Sequence, residues 1–240
     1  MAQHISRREL KKDEVRETLA HGAEAVLSHE RFAIVVVLTA AVIALGIYGW
    51  RFYSERQSAK ASAAFDDAMK VFQAPAGAPQ TPPAPGQLSF PDDNKKYTEA
   101  DQKFSEVASK YSRTRAGELA SYYAALSLEK IQKNDDATKR LQALANSHDA
   151  DIAAMAQFAL AQLDDDTGRG DEAAKLYEQL IAKPTTLVPK AVAMLALADH
   201  YSVKNPSEAA KLYTQIKSDY PDTPMAQQAD QALALLPGKS

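Results

Sequence analysis

The hexapeptide Glu172-Ala173-Ala174-Lys175-Leu176-Tyr177 recurs as Glu208-Ala209-Ala210-Lys211-Leu212-Tyr213, an offset of 36 residues. The same period, followed toward the N-terminus, meets Ala137 with Leu141 and Ala100 with Phe104. An Ala with Phe, Tyr or Leu four residues later therefore stands at 100, 137, 173 and 209. Four residues is about one helical turn, so both members lie on one helix face. The small residue lets two helices approach closely, and the larger one fills the gap to the neighbouring pair. A fixed period between about 20 and 50 residues marks a solenoid, whose units bury their apolar faces only by stacking.

Each unit reads as two helices. Ile152, Met155, Ala156, Ala159, Leu160 and Leu163 recur at three- and four-residue spacing, without strand-like alternation. Thr167-Gly168-Arg169-Gly170 is a helix stop, and Asp171 is the expected cap of the next helix, with Ala173, Ala174, Tyr177, Leu180 and Ile181 on one face. Pro184 and Pro189 bound the following connection. Asn205 caps the next helix, Pro206 takes its first position and Glu208 is placed to close a capping box.

Phe32 to Trp50, FAIVVVLTAAVIALGIYGW, is a run of 19 uncharged residues bracketed by Arg31 and Arg51. As a helix it spans roughly 28 Å, the thickness of a bilayer's hydrocarbon core. Its ten Phe, Ile, Leu and Val residues favour insertion by several kcal/mol, on the order of 0.3–0.6 kcal/mol each. Tyr48, Trp50, Phe52 and Tyr53 gather at one end, where amphipathic rings settle at the headgroups. Nothing else in the chain is apolar enough to enclose such a segment as a core helix. A cleaved signal peptide fits less well: the preceding flank is long, and the small-x-small string Ala59-Lys60-Ala61 lies nine residues past Trp50. Charge does not orient the span, because the N-terminal flank holds six acids and six bases, and Arg51, Arg56 and Lys60 follow the span.

The expected organisation is all-α. A charged helical segment (1–31), in which Ser6 and Glu9 form a capping box, precedes a transmembrane helix (32–50). The helix continues over 51–72 into the repeats. A Pro-rich linker (73–91) holds six of the twelve prolines. An α-solenoid of about four helix pairs then fills 92–237 and ends in a capping helix.

Composition excludes several functions. Lys+Arg is 28 against Asp+Glu 31, a net charge of −3, which gives no basic footprint for nucleic acid. Cysteine is absent, so disulfides, Cys-ligated zinc and a thiol nucleophile are excluded. The five His, at 4, 21, 29, 148 and 200, form no pair with metal-ligand spacing. Gly168-x-Gly170-x-x-Ala173 follows a helix rather than a strand, so it does not cradle a dinucleotide. Arg169-Gly170-Asp171 imitates an adhesion tripeptide but lies in the same turn. Asp164-Asp165-Asp166 lacks the Glu of a calcium loop, since Lys175 stands eleven residues on. Neither a catalytic set nor a cofactor or small-molecule substrate is indicated, and the chain reads as a non-enzyme.

The period and the Ala-x-x-x-(Phe/Tyr) helix resemble the tetratricopeptide repeat. Tyr220-Pro221-Asp222-Thr223-Pro224-Met225-Ala226 is similar to the inter-repeat linker of envelope-located members, and Lys110-Tyr111-Ser112-Arg113-Thr114-Arg115-Ala116 is a worn copy of it. The junction Gly49-Trp50-Arg51-Phe52-Tyr53 with Gln57-Ser58-Ala59-Lys60-Ala61-Ser62-Ala63-Ala64-Phe65 resembles the start of the YfgM-like ancillary translocon subunits. That likeness implies a single-pass protein of the bacterial inner membrane, with its N-terminus in the cytoplasm and its repeats in the periplasm. It implies partners among Sec translocon subunits and periplasmic chaperones. An envelope-assembly or division scaffold of similar build is the alternative. In the usual repeat register a partner-binding groove is expected at Tyr122, Glu129, Gln162, Asp165, Asp166 and Tyr201.

Overall fold

A computed structural model describes residues 30–77 and 88–237, with side chains from 34 onward. The N-terminal segment (1–29) and the middle of the Pro-rich stretch (78–87) lie outside the described residues. Among those described, all regular structure is helical apart from one isolated bridge. The helices are α1 (Glu30–Gln73), α2 (Asp93–Lys110), α3 (Arg115–Lys130), α4 (Asn134–Leu144), α5 (Ala150–Asp166), α6 (Gly170–Ala182), α7 (Lys190–Lys204), α8 (Pro206–Asp219) and α9 (Pro224–Leu235).

The chain divides into two compact units, one ending at Arg56 and one starting at Gln57. The first is the apolar part of α1. Within the most apolar stretch of this helix no side chain is buried. The Thr39 hydroxyl donates to the Val35 carbonyl (2.7 Å), which satisfies the polar group within its own helix. Arg56 stacks its guanidinium 4.2 Å from the centre of the Phe52 ring.

The second unit is a stack of helices: the end of α1 packs its side chains on α2 and α3, and the pairs α3 with α4, α5 with α6 and α7 with α8 follow, closed by α9. The period-36 positions explain the stack. Ala100, Phe104, Ala137, Leu141, Ala173, Tyr177, Ala209 and Tyr213 are all buried, each in the second helix of its pair. Around Phe104 the first pair builds an aromatic cluster with Phe65, Phe72 and Tyr123, ring centres 5.4–6.0 Å apart. Leu141 joins Leu128, Leu144, Ile152 and Leu163 in a core that continues from the second pair into the third. The outer face of α9 carries exposed Gln227, Gln228 and Asp230, as a terminal unit requires.

Groups one repeat apart touch. Arg115 meets Asp149 (2.6 Å), Asp165 meets His200 (2.6 Å) and Asp151 accepts from the Leu187 amide (3.3 Å), at separations of 34, 35 and 36 residues. The two linker motifs fold alike. Thr114 donates its hydroxyl to the Tyr111 carbonyl (2.9 Å) and accepts from the Gly117 amide (3.1 Å). Thr223 repeats this with Tyr220 (2.7 Å) and Ala226 (3.2 Å).

Two caps differ from the sequence reading. The structure begins α6 at Gly170, so Asp171 lies in the first turn and no side chain caps the helix. Asn205 caps α8 as expected, accepting from the Glu208 amide (3.4 Å). The Glu208 carboxylate, however, turns to Lys211 (2.8 Å) and leaves the reciprocal half of the capping box unmade. In the Pro-rich stretch the two ends are tied: Phe90 donates to the Pro75 carbonyl and Gly77 to the Phe90 carbonyl, both at 3.0 Å.

Candidate functional site: a cleft across the first helices of three pairs

α3, α5 and α7 are the first helices of successive pairs, and their C-terminal ends converge. Glu129 and Lys130 close α3, Asp165 and Asp166 close α5, and Asp199, His200, Val203 and Lys204 stand at the end of α7. Together with Gln162, Gly168, Gly170, Tyr177 and Ala196 they line a cleft of about 620 Å³.

Its geometry grows from the turn after α5. Asp164 is buried and holds the Arg169 guanidinium on one carboxylate oxygen, at 2.7 Å to Nε and 2.6 Å to Nη2. The Arg169 amide donates to the Asp164 carbonyl at 2.7 Å. Gly168 permits the turn with φ +82°, a left-handed value that suits a residue without Cβ. The chain then enters α6 directly beneath His200. A Cβ on Gly170 would come within 2.8 Å of His200 Cε1. The glycine is a packing requirement, since it leaves room for the imidazole to reach Asp165.

Asp165 and His200 join at 2.6 Å through Nδ1, the ring being almost fully buried. Tyr177 fills the floor, and burial, with Asp165 beside it, pushes its hydroxyl well above the ordinary phenol range. Asp199 accepts from the Tyr213 hydroxyl at 2.5 Å. Burial and that bond raise the Tyr213 phenol strongly. Glu129 lies 3.3 Å from Lys130. Asp166 and Gln162 are exposed.

Four of the six expected groove residues, Glu129, Gln162, Asp165 and Asp166, thus share one cleft. Tyr122 does not line it. It packs half-buried on the core of the second pair, its ring edge-on to Tyr123 at 5.5 Å. Burial, with Tyr123 and Glu129 nearby, pushes its phenol up to about 12. Tyr201 turns to the other side of α7, where it lines a second groove with Glu178, Glu208 and Leu212. Tyr177, Asp199, His200 and Lys204 were not anticipated. The period was the signal available for His200, since Asp165 lies 35 residues before it.

Among the described residues no three His, Asp or Glu side chains are placed to hold a metal ion. The cleft offers two carboxylates fixed from behind, Asp165 and Asp199, and an open mouth, which suits recognition of a polypeptide surface. No curated protein and no solved structure matches the chain at significant similarity. A family of known sequences, the tetratricopeptide repeat-like domain, matches residues 29–187. The match covers α1 to α6, while α8 carries the same buried Ala-x-x-x-Tyr signature beyond it, in Ala209 and Tyr213. By that match and by its stacked helix pairs, the chain belongs to the tetratricopeptide repeat-like domain family.

Proposed function

We propose that this chain is a membrane-tethered protein-interaction subunit of the bacterial inner membrane. Its repeats lie on the periplasmic side, and its partners are translocon subunits or the chaperones that work beside them. The observation that carries the reading is α1 itself: one helix without proline begins as a wholly exposed apolar run and ends as the first helix of a repeat stack. Exposed Ile, Val and Leu over 34–47 are unfavourable in water and favourable in hydrocarbon. Tyr48, Trp50 and Tyr53, also exposed, supply the interfacial rings. Helical repeats present their stacked first helices to other polypeptides, and the cleft across α3, α5 and α7 is the surface offered here.

The test combines topology with contact. A reporter active on only one side of the membrane is fused after Ser240, and photo-crosslinking residues replace Gln162 and Ile43. A periplasmic readout with translocon or chaperone subunits crosslinked at these positions supports the assignment. A cytosolic readout overturns the translocon role. Cell-wall or division components recovered instead move the assignment to an envelope scaffold of the same build.

A further inference from the structure

We infer that the face of α3, α5 and α7 receives a cationic segment of its partner, one in which Lys or Arg alternates with apolar side chains. This rests on the interaction reading above and adds the partner's chemistry. The cleft holds four carboxylates, Glu129, Asp165, Asp166 and Asp199, against two lysines, Lys130 and Lys204, and His200. One lysine is already drawn onto Glu129. Three helix C-termini add roughly half a negative charge each. The N-terminus of α6 opens onto the same space, but Asp171 and Glu172 in its first turn oppose its positive end.

Two of the four carboxylates, Asp165 and Asp199, are held before any partner arrives. His200 orients Asp165 and Tyr213 orients Asp199. Little ordering cost remains for binding. Asp166 is exposed and has no ion-pair partner among the described residues. The charges are also spread out. They do not converge on a point where a metal ion could be held, so the complementary ligand is an extended one with several cationic groups. Val203, 85% exposed, and Ala196 supply the apolar wall for the side chains between them. A volume of about 620 Å³ accommodates a few such side chains.

The experiment uses the full chain in nanodiscs of zwitterionic lipid, with empty nanodiscs as control. Three fluorescein-labelled dodecapeptides are compared by anisotropy: alternating Lys-Leu, alternating Glu-Leu and alternating Gln-Leu. The Lys peptide is expected to bind at least about tenfold more tightly than the Glu peptide and to weaken with added salt. Glu129→Lys with Asp166→Lys, both at exposed or half-exposed positions, should reverse the preference while the helical circular dichroism stays unchanged. Equal or tighter binding of the Glu peptide to the native chain overturns the inference, as does a double variant that keeps the native preference. If crosslinks from Gln162 to proteins form but no charge preference exists, only the cationic inference falls. If neither is seen, the interaction reading falls with it.

Discussion

Gly117 has the least room to change. A Cβ at that position would stand 2.1 Å from the Tyr111 carbonyl oxygen, a backbone atom that cannot swing away. Gly117→Ala should therefore cost at least about 2 kcal/mol, read as a lower urea midpoint with an unchanged slope. A second expectation concerns alkaline pH. Tyr122, Tyr177 and Tyr213 all have phenols raised above the unfolded value of about 10. A raised phenol contributes its full stability below about pH 10 and loses it as pH climbs through the folded value, about 12 for Tyr122. Tyrosinate absorbance from these three should thus appear together with loss of helix. Three tyrosinates appearing with the helices intact would contradict the packing. At this scale the sequence was partly legible. The Asn205 cap could be read because its hydrogen bond is local. The start of α6 could not: Asp171 looks like a cap, but the helix begins one residue earlier, at Gly170, against the His200 imidazole of the neighbouring pair, a contact between residues far apart in the chain.

The helices themselves were readable because their periodicity is strong and their ends are marked by Pro, Gly and Thr. Their contribution differs along each element. Leu141 is fully buried between two pairs, so Leu141→Ala should destabilise by about 2–5 kcal/mol in denaturant titration. Thr223 acts only locally, at the start of α9, and Thr223→Ala should cost about 1 kcal/mol. If the two variants were equally mild, the core shared by α4 and α5 would not be holding the stack. The candidate cleft was legible to the extent that it follows the repeat. Positions on α3 and α5 could be placed by register. The faces of Tyr122 and Tyr201 could not, because a rotation of one residue, about 100°, moves a side chain from groove to core.

For the whole molecule, the exposed run on α1 predicts behaviour in extraction. The full chain should stay with membranes through alkaline carbonate and enter solution only with detergent. A chain beginning at Gln57 should be soluble and helical, because the second unit contains its own cores. Release of the full chain into buffer, or aggregation of the shortened one, would contradict this division. The long apolar run and the period could both be read from sequence, each being carried by many residues at once. A direction for the apolar run could not, since the charges flanking it balance.

The pair of hydrogen bonds joining Pro75, Gly77 and Phe90 has a practical consequence. It ties the two described ends of the Pro-rich stretch to each other, so the closure between them is set by backbone bonds outside residues 78–87. Doubling the length of that stretch costs only about 0.6 kcal/mol in closure entropy. A fluorescent protein or affinity epitope spliced between Pro79 and Pro85 should leave both neighbouring coils in register, giving a reporter port on the first pair rather than at either terminus.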